Sequence, residues 1–255
     1  MIAILLCAGY ATRMYPLTRN YPKPLLSVAG KPVIDYFMEQ LMELDELRSV
    51  HVVTNHKFTP FFEKWQRRWL DKNPGAPFGV EIHNDGSTED ENKLGASVDL
   101  AWVLNRLPKA SRMLVAAGDN IFRFRIKPLW SQFLKSHTHW IIALEETNPV
   151  KLMQSGVLEF SKNDRVIRLH EKPQSPPSTW CCPAIYFFKH SAVSILNEFL
   201  KVSEQTDAPG HFIDYLCQKQ CIRAFRLKAF RFDIGSIEDY RKADRLLRQE
   251  TLFQN

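Results

Sequence analysis

The residues of this sequence whose chemistry is easiest to interpret are two aspartates, Asp119 and Asp233. Each follows directly on an apolar run of strand length, so each is expected at the end of a β-strand. In proteins, Mg²⁺ prefers one or two carboxylates together with phosphate oxygens of a substrate. The pair therefore indicates a metal that carries phosphates, although an Asp after a strand is also a common turn or helix-capping residue.

A basic loop after the first apolar run supplies charge of the opposite sign. It begins at Gly9, where the backbone can approach a ligand closely and successive amides can bind a phosphate. Arg13 and Lys23 add cationic donors for a polyphosphate. The spacing fits neither a Walker A loop nor a dinucleotide fingerprint, because Ala11 and Met14 replace the later glycines. On this pattern alone, an ordinary basic surface loop is an equal alternative.

Apolar runs and helical spacing divide the chain into alternating elements. Strands are predicted over residues 1–7, 49–54, 79–83, 113–117, 140–144, 156–160, 166–170, 184–188 and 222–227. Helices are predicted over 33–43, 96–106, 129–136, 192–201, 212–218 and 237–249. Phe58, Phe62, Trp65 and Trp69 are predicted to form the core-facing stripe of a further helix.

The alternation of strands and helices in the first part of the chain predicts right-handed βαβ units. The expected fold class is α/β, a three-layer, doubly wound, Rossmann-like sheet. We expect this sheet to be mixed but mostly parallel, with helices on both faces and a small antiparallel addition. No linker is visible, so residues 1–255 are predicted to form a single catalytic domain.

Charge and cysteine content limit the kinds of partner. The chain has 34 Lys and Arg against 28 Asp and Glu, a formal net charge of +6 that suits anionic ligands. The charges are interspersed, so we expect no nucleic-acid partner. No apolar stretch approaches the ~20 residues of a membrane span, so no membrane association is expected.

The five cysteines are odd in number and lack a C-x-x-C pair, which favours a reduced, cytoplasmic protein without a structural zinc. The histidines show no metal-ligand spacing along the chain; they include His51, His56, His83 and His211.

Two long motifs near the start of the chain, residues 6–18 and 21–32, resemble the signature of sugar-1-phosphate nucleotidyltransferases. Glucose-1-phosphate thymidylyltransferases and uridylyltransferases are familiar members of that family. Further matches follow in family order over nearly the whole chain: Gly118-Asp119-Asn120, Gly156-Val157, Glu171-Lys172-Pro173 and Phe232-Asp233-Ile234-Gly235-Ser236. The resemblance implies transfer of a nucleotidyl group from a nucleoside triphosphate to a sugar-1-phosphate, with release of pyrophosphate.

The resemblance also implies a role for each matching residue. The triphosphate loop would be formed by Gly9, Ala11, Thr12 and Arg13, with Lys23 at the α-phosphate and Leu94 and Gly95 at the nucleobase. Arg13 and Lys23 would be the catalytic cations. On the acceptor side, Glu171 would bind sugar hydroxyls, Lys172 would bind the sugar phosphate, and Gly156 would leave room for the sugar ring. The cofactor Mg²⁺ would be held by Asp119 and Asp233.

The chain departs from the family pattern in three places, and the last two, on the acceptor side, leave the acceptor open. Ala11 stands where members usually have Gly, Gln154-Ser155 replaces a common aromatic position before Gly156, and the segment 181–184 replaces a glycine-containing stretch. One alternative is cytidylyl transfer to a non-sugar phosphate such as phosphocholine, for which an aromatic cage is expected. Trp180 and Tyr186 could contribute to such a cage, although structural packing is favoured for both. Another alternative is a non-catalytic regulatory protein that binds nucleotide-sugars. The nucleobase and the oligomeric state are not specified, and a homo-oligomer is among the expectations.

Overall fold

A computed structural model describes residues 1–252 and contains fourteen strands and eight helices in that part of the chain. The strands are β1 (Ile2–Leu6), β2 (Ser27–Val28), β3 (Lys31–Pro32), β4 (Ser49–Thr54), β5 (Gly79–Asn84), β6 (Arg112–Ala117), β7 (Asn120–Phe122), β8 (His139–Glu145), β9 (Gly156–Phe160), β10 (Arg165–Glu171), β11 (Trp180–Cys182), β12 (Ile185–Lys189), β13 (Ile222–Leu227) and β14 (Arg231–Asp233). The helices are α1 (Val33–Leu41), α2 (Thr59–Lys72), α3 (Ala96–Leu104), α4 (Ile126–Lys135), α5 (Pro149–Leu152), α6 (Ser191–Val202), α7 (Pro209–Lys219) and α8 (Ile237–Leu252).

Ten strands form one mixed sheet in the order β11-β9-β10-β13-β8-β12-β6-β1-β4-β5. Strands β5, β4, β1 and β6 run parallel, and β8 and β13 are again parallel to each other. Strand β12 is antiparallel to both β6 and β8, and β9, β10 and β11 add antiparallel pairings. Strands β1, β4 and β6 are almost continuously apolar because both faces of the sheet are covered. The predicted fold class is confirmed.

Helices cover both faces of this sheet. Helices α1, α2 and α4 pack on one face, in a core cluster that includes Leu5, Val52 and Leu114 of the strands. Helices α3, α6 and α7 pack on the other face. The aromatic stripe of α2 lies in the first cluster, and all four of its rings are buried, as predicted.

A two-stranded ribbon of β7 and β14 lies apart from the large sheet and was not predicted. In this ribbon Asp233 is paired with Asn120, so residues distant in sequence meet at the end of β6. Helix α8 closes a third, smaller core cluster around Phe232 and Ile234. The ribbon therefore brings the predicted metal ligand of the C-terminal part next to Asp119.

Several boundaries differ from the predictions. Helix α4 begins at Ile126 rather than at residue 129, and strand β11 was not predicted at all. In the part of the chain described, no helix combines the length and the apolar character that crossing a membrane requires. The single domain over 1–255 and the cytoplasmic location stay predictions.

Candidate active site

A cavity of about 380 Å³ opens at the carboxyl ends of β1 and β6. Ligands bind at this edge in open α/β sheets because the loops that follow parallel strands converge there. The walls are the loop after β1, the single-turn helix at Lys23, and the start of α3. Most of the predicted nucleotide-side residues line it together: Gly9, Ala11, Thr12, Arg13, Lys23, Gly95 and Asp119.

The loop after β1 has a left-handed turn at Ala11, with φ 49° and ψ 46°. The Ala11 carbonyl accepts hydrogen bonds from the Met14 amide at 2.9 Å and from the buried Thr18 hydroxyl at 2.8 Å. This conformation favours glycine, so Ala11 adopts it with some backbone strain. A side chain at Gly9 would meet nothing within 4 Å, so the protein's own packing does not require that glycine. The space beside it is free for a ligand.

Lys23 and Asp119 form an ion pair in this cavity. The Lys23 ammonium donates to Asp119 Oδ2 at 2.8 Å, and Lys23 is only 8% exposed. Burial opposes ionisation of Asp119, yet the neighbouring Lys23 outweighs burial and holds the pKa of the carboxyl below its usual range. The side-chain amide of Asn120 donates from Nδ2 to the other oxygen, Asp119 Oδ1, at 2.8 Å. Asp119 is therefore a charged, oriented carboxylate.

Asp233 approaches the same region from the ribbon of β7 and β14. Its side chain is 53% exposed and faces the Arg231 guanidinium at 3.5 Å. Asp233 itself does not line the cavity, whereas Gly235 does. Asn120 Oδ1 is buried without a hydrogen-bond partner. Two carboxylates and an unpartnered amide oxygen are hard donors of the kind that Mg²⁺ binds, so the residues present fit this ion.

A second cavity, of about 440 Å³, adjoins the first and holds predicted acceptor residues. Glu171 and Lys172 line it, and so does Leu94, which does not line the first cavity. The wall between the cavities is formed by Lys93, Gly95 and Asp207, which line both.

This shared wall is tightly built. Gly95 has φ +90°, and a Cβ there would lie 2.8 Å from the Asp207 Cα. The Ala96 amide donates to the Asp207 carbonyl at 3.0 Å and is thus engaged within the protein. The Lys93 ammonium lies 3.5 Å from the Asp207 carboxylate. Residues 93–96 are consequently held against residues 206–207.

Two glycines, Gly156 and Gly210, leave room for the Glu171 carboxylate. A Cβ at Gly156 would lie 3.3 Å from Glu171 Oε2, and one at Gly210 would lie 2.2 Å from the same oxygen. Gly156 does not line either cavity, but it leaves the space that the Glu171 carboxylate occupies. Burial raises the pKa of Glu171. Lys172 directly follows β10 with φ 47°, and its backbone amide donates to the Ser155 carbonyl at 3.0 Å.

The aromatic residues considered for a choline cage are engaged elsewhere. Tyr186 is buried and stacks on Phe188, with ring centroids 5.5 Å apart. The Trp180 ring lies beneath the Arg226 guanidinium at 5.4 Å. Neither residue lines either of the two cavities. The predicted structural packing of both is confirmed.

Asp99 is a cavity residue that the sequence interpretation missed. It lies on α3, is 5% exposed, and its Oδ1 is buried without a hydrogen-bond partner. Burial, followed by the nearby Asp85 carboxylate, raises the pKa of Asp99 to about 8. Asp85 accepts hydrogen bonds from the Ser87 amide at 2.7 Å and the Ser87 hydroxyl at 2.8 Å. Burial also raises the pKa of Asp85, and Asp99 is the carboxyl group that retains its proton at neutral pH.

At the carboxyl edge of the α/β sheet, a left-handed, basic loop and a lysine–carboxylate pair form a pocket whose charge suits phosphates. Residues 2–250 match the family described as Nucleotidyl transferase, so this chain belongs to the nucleotidyl transferase family. The predicted family is confirmed.

Curated relatives include the UTP–glucose-1-phosphate uridylyltransferase AglF of Haloferax volcanii, 25% identical over 252 residues and covered to 98% on both sides. The glucose-1-phosphate thymidylyltransferase of Mycolicibacterium smegmatis is 30% identical over 205 residues, 79% of this chain and 65% of that protein. The bifunctional protein GlmU of Methanocaldococcus jannaschii is 27% identical over 252 residues, which are 97% of this chain. The chain spans 54% of that GlmU and 65% of a similar thymidylyltransferase from Neisseria meningitidis.

The fold is shared with solved structures. A UDP-glucose pyrophosphorylase complexed with UDP-glucose has a TM-score of 0.81 at 18% identity, with 98% of each chain covered. The UDP-glucose pyrophosphorylase of Acinetobacter baumannii has a TM-score of 0.75 at 18% identity, with 100% of each chain covered. At this identity the likeness concerns the fold alone.

Proposed function

We propose that this chain transfers a nucleotidyl group from a nucleoside triphosphate to a sugar-1-phosphate and releases pyrophosphate. The observation that carries the proposal is the meeting of the loop after β1, Lys23 and Asp119 in one cavity, beside a second cavity with Glu171 and Lys172. The named activities of the curated relatives, uridylyl and thymidylyl transfer to glucose-1-phosphate, support the same reaction class.

The proposed reaction needs no general base. Its nucleophile is an oxygen of a phosphate monoester, which is mostly ionised at neutral pH because its second pKa is ~6. The main obstacle is repulsion between two anions, on the order of 4 kcal/mol per pair of unit charges ~4 Å apart at an effective dielectric of 20. The protein must therefore align the two phosphates and stabilise negative charge around the α-phosphorus.

On the nucleotide side, Gly9, Ala11 and Thr12 would bind the triphosphate through the backbone of their loop. Arg13 and Lys23 would place positive charge on its oxygens. Asp119 and Asp233 would hold Mg²⁺, which when bound neutralises charge on phosphate oxygens. The Lys23 ammonium contacts Asp119 in the same cavity as the loop after β1, which would place its charge at the α-phosphate.

On the acceptor side, Lys172 would bind the phosphate of the sugar-1-phosphate and Glu171 would accept hydrogen bonds from its hydroxyls. The close approach of Gly156 and Gly210 to Glu171 supports a fixed position for this carboxylate.

The nucleobase would lie at the wall between the cavities, near the backbone of Gly95. Leu94 is proposed for the same role, from its position next to Gly95.

A matrix of triphosphates against sugar-1-phosphates, with pyrophosphate release as the readout, tests the proposal. We expect release that requires both substrates, is abolished by EDTA and is restored by Mg²⁺. One additional pair, CTP with phosphocholine, tests the alternative acceptor. Nucleotide-sugar binding without pyrophosphate release from any pair would instead indicate the regulatory alternative.

A further inference from the structure

Three potential metal ligands lie together on the outermost parallel strands, away from both cavities. Strands β4 and β5 pair in parallel with His51 opposite Glu81 and Val53 opposite His83. Since alternate residues of a strand share a face, these three side chains project from the same face of the sheet. We propose that His51, Glu81 and His83 form a Zn²⁺ site.

The distances between the ligand atoms fit one small ion. His51 Nδ1 lies 3.0 Å from His83 Nε2, and Glu81 Oε2 lies 3.5 Å from the first nitrogen and 3.8 Å from the second. A point about 2.0 Å from all three atoms exists within this triangle, and Zn–N and Zn–O bonds are ~2.0–2.2 Å long.

Hydrogen bonds between the three side chains account for this arrangement less well than a bound ion does. The two ring nitrogens can share one hydrogen bond at 3.0 Å, but the Glu81 oxygen is at or beyond the limit of a good bond to either. A divalent ion would satisfy all three atoms at once.

The imidazoles are prepared to act as ligands. The His51 side chain is 4% exposed and that of His83 is 16% exposed, so packing holds both rings in place. His51 Nε2 is hydrogen-bonded to the Ser49 hydroxyl at 2.8 Å, which fixes the ring. The edge of the Trp102 ring system contacts His83, with centroids 6.3 Å apart. Outer contacts of this kind orient metal-binding histidines.

The donor set selects zinc over magnesium. Two imidazoles and one carboxylate suit Zn²⁺, whereas Mg²⁺ takes mainly oxygen ligands. Glu81 has a side chain that is 58% exposed, so solvent can supply a fourth ligand. The expected absence of a structural zinc was inferred from the cysteines, and this site uses none of them.

A metal here would fasten the last strand of the sheet. Strand β5 lies at the edge and pairs with β4 alone. The chain leaves β5 directly into Asp85 and Ser87, which support Asp99 of the first cavity. The ion would thus stabilise the strand behind the nucleotide side without taking part in transfer.

The test is a Zn²⁺ titration of the full chain, stripped with a chelator, in competition with a chromogenic chelator and in excess Mg²⁺ to occupy oxygen-only sites. We expect one Zn²⁺ per chain and a rise in Tm on binding. Glu81→Gln and His83→Gln should each weaken binding at least ~100-fold, since even outer-shell partners are worth 10–100-fold. The exposed His137 provides a matched control, and His137→Gln should bind as the parent chain does.

Glu81→Gln keeps the test decisive if a histidine variant fails to fold, because Glu81 is exposed. Co²⁺ in place of Zn²⁺ should give visible absorption bands of a four-coordinate ion in the parent chain and not in Glu81→Gln. Equal Zn²⁺ affinity in the parent and Glu81→Gln would overturn the proposal, as would the lack of saturable binding.

Discussion

The two cavities of this protein are specified in different ways. The nucleotide side is defined by charge: Lys23 is buried against an ionised Asp119, and hydrogen bonds brace the turn at Ala11. The acceptor side is defined by missing side chains, since Gly156 and Gly210 leave the space that Glu171 fills. Charge determines which reaction can occur, and the available space determines which acceptor can take part in it. Substitutions on the two sides should therefore have different kinetic effects.

The largest effect is expected from removing charge on the nucleotide side. Lys23→Ala or Asp119→Ala should lower kcat at least ~100-fold, comparable to losing one preorganised donor to a developing negative charge. Initial rates of pyrophosphate release at saturating substrates measure this.

Lys31→Ala is the matched control for Lys23→Ala. Lys31 belongs to the same basic stretch, but it pairs with Glu39 and does not line either of the two cavities. Its variant should keep near-parental turnover. Normal turnover in both Lys23→Ala and Asp119→Ala would refute the assigned site, provided that circular dichroism shows folded proteins.

A smaller and different effect is expected on the acceptor side. In Gly156→Ala the new methyl would lie 3.0 Å from Leu169 and 3.3 Å from Glu171, so the carboxylate must shift. We expect the KM for the sugar phosphate to rise ~10-fold, equivalent to about 1.4 kcal/mol, with little change in the KM for the triphosphate. Gly75→Ala, where a Cβ meets nothing within 4 Å, is the control. A triphosphate KM that rises as much as the acceptor KM would erase the distinction between the two sides.

Asp99 gives the nucleotide side a pH-dependent stability. Its pKa is raised from 3.8 to about 8 on folding, so the folded state binds more protons between these values. The stability that this group contributes is thus fully present below pH 3.8 and is lost as the pH rises through about 8. Asp99→Asn mimics the neutral acid, so it should flatten the loss of Tm between pH 5 and pH 9. The exposed Asp71 supplies the control Asp71→Asn, and a slope equal to the parental one in Asp99→Asn would contradict this expectation.

The smallest effect concerns the left-handed turn. Ala11→Gly removes the strain of a methyl group at φ 49° but adds freedom to the unfolded chain, so a net gain below about 1 kcal/mol is expected. Ala184, which lines the same cavity, has φ 54° and should respond in the same direction. Ala243→Gly within α8 should instead cost about 1 kcal/mol. Urea unfolding measures all three, and a clear loss of stability in Ala11→Gly would count against a strained turn.

The sequence predicted the parts of the fold that have long, continuous patterns. Strands β1, β4 and β6 were recognised because they are buried on both faces and read as unbroken apolar runs. Strands β7 and β11 were missed because three residues are too few to show a period. Strand β14 ends at Asp233 as expected, but its pairing with β7 was not predicted.

The same limit applies to the site. Motifs identified Lys23 and Asp119, which the structure brings into contact. Asp85 was not recognised as a site residue, because only the fold brings it near Asp99 of α3. His51 and His83 have no meaningful spacing along the chain, and only the register of β4 with β5 brings them together. The spacing of residues along the chain predicts contacts within one helix or strand. It does not predict contacts between residues of different elements that the fold brings together.

The wall of Lys93, Gly95 and Asp207 has a consequence for kinetics. One thin partition faces both cavities, and its two halves are hydrogen-bonded to each other. Ligands in the two cavities would contact the same three residues from opposite sides. Under the proposed function, a substitution at Lys93 or Asp207 is therefore expected to raise the KM of both substrates.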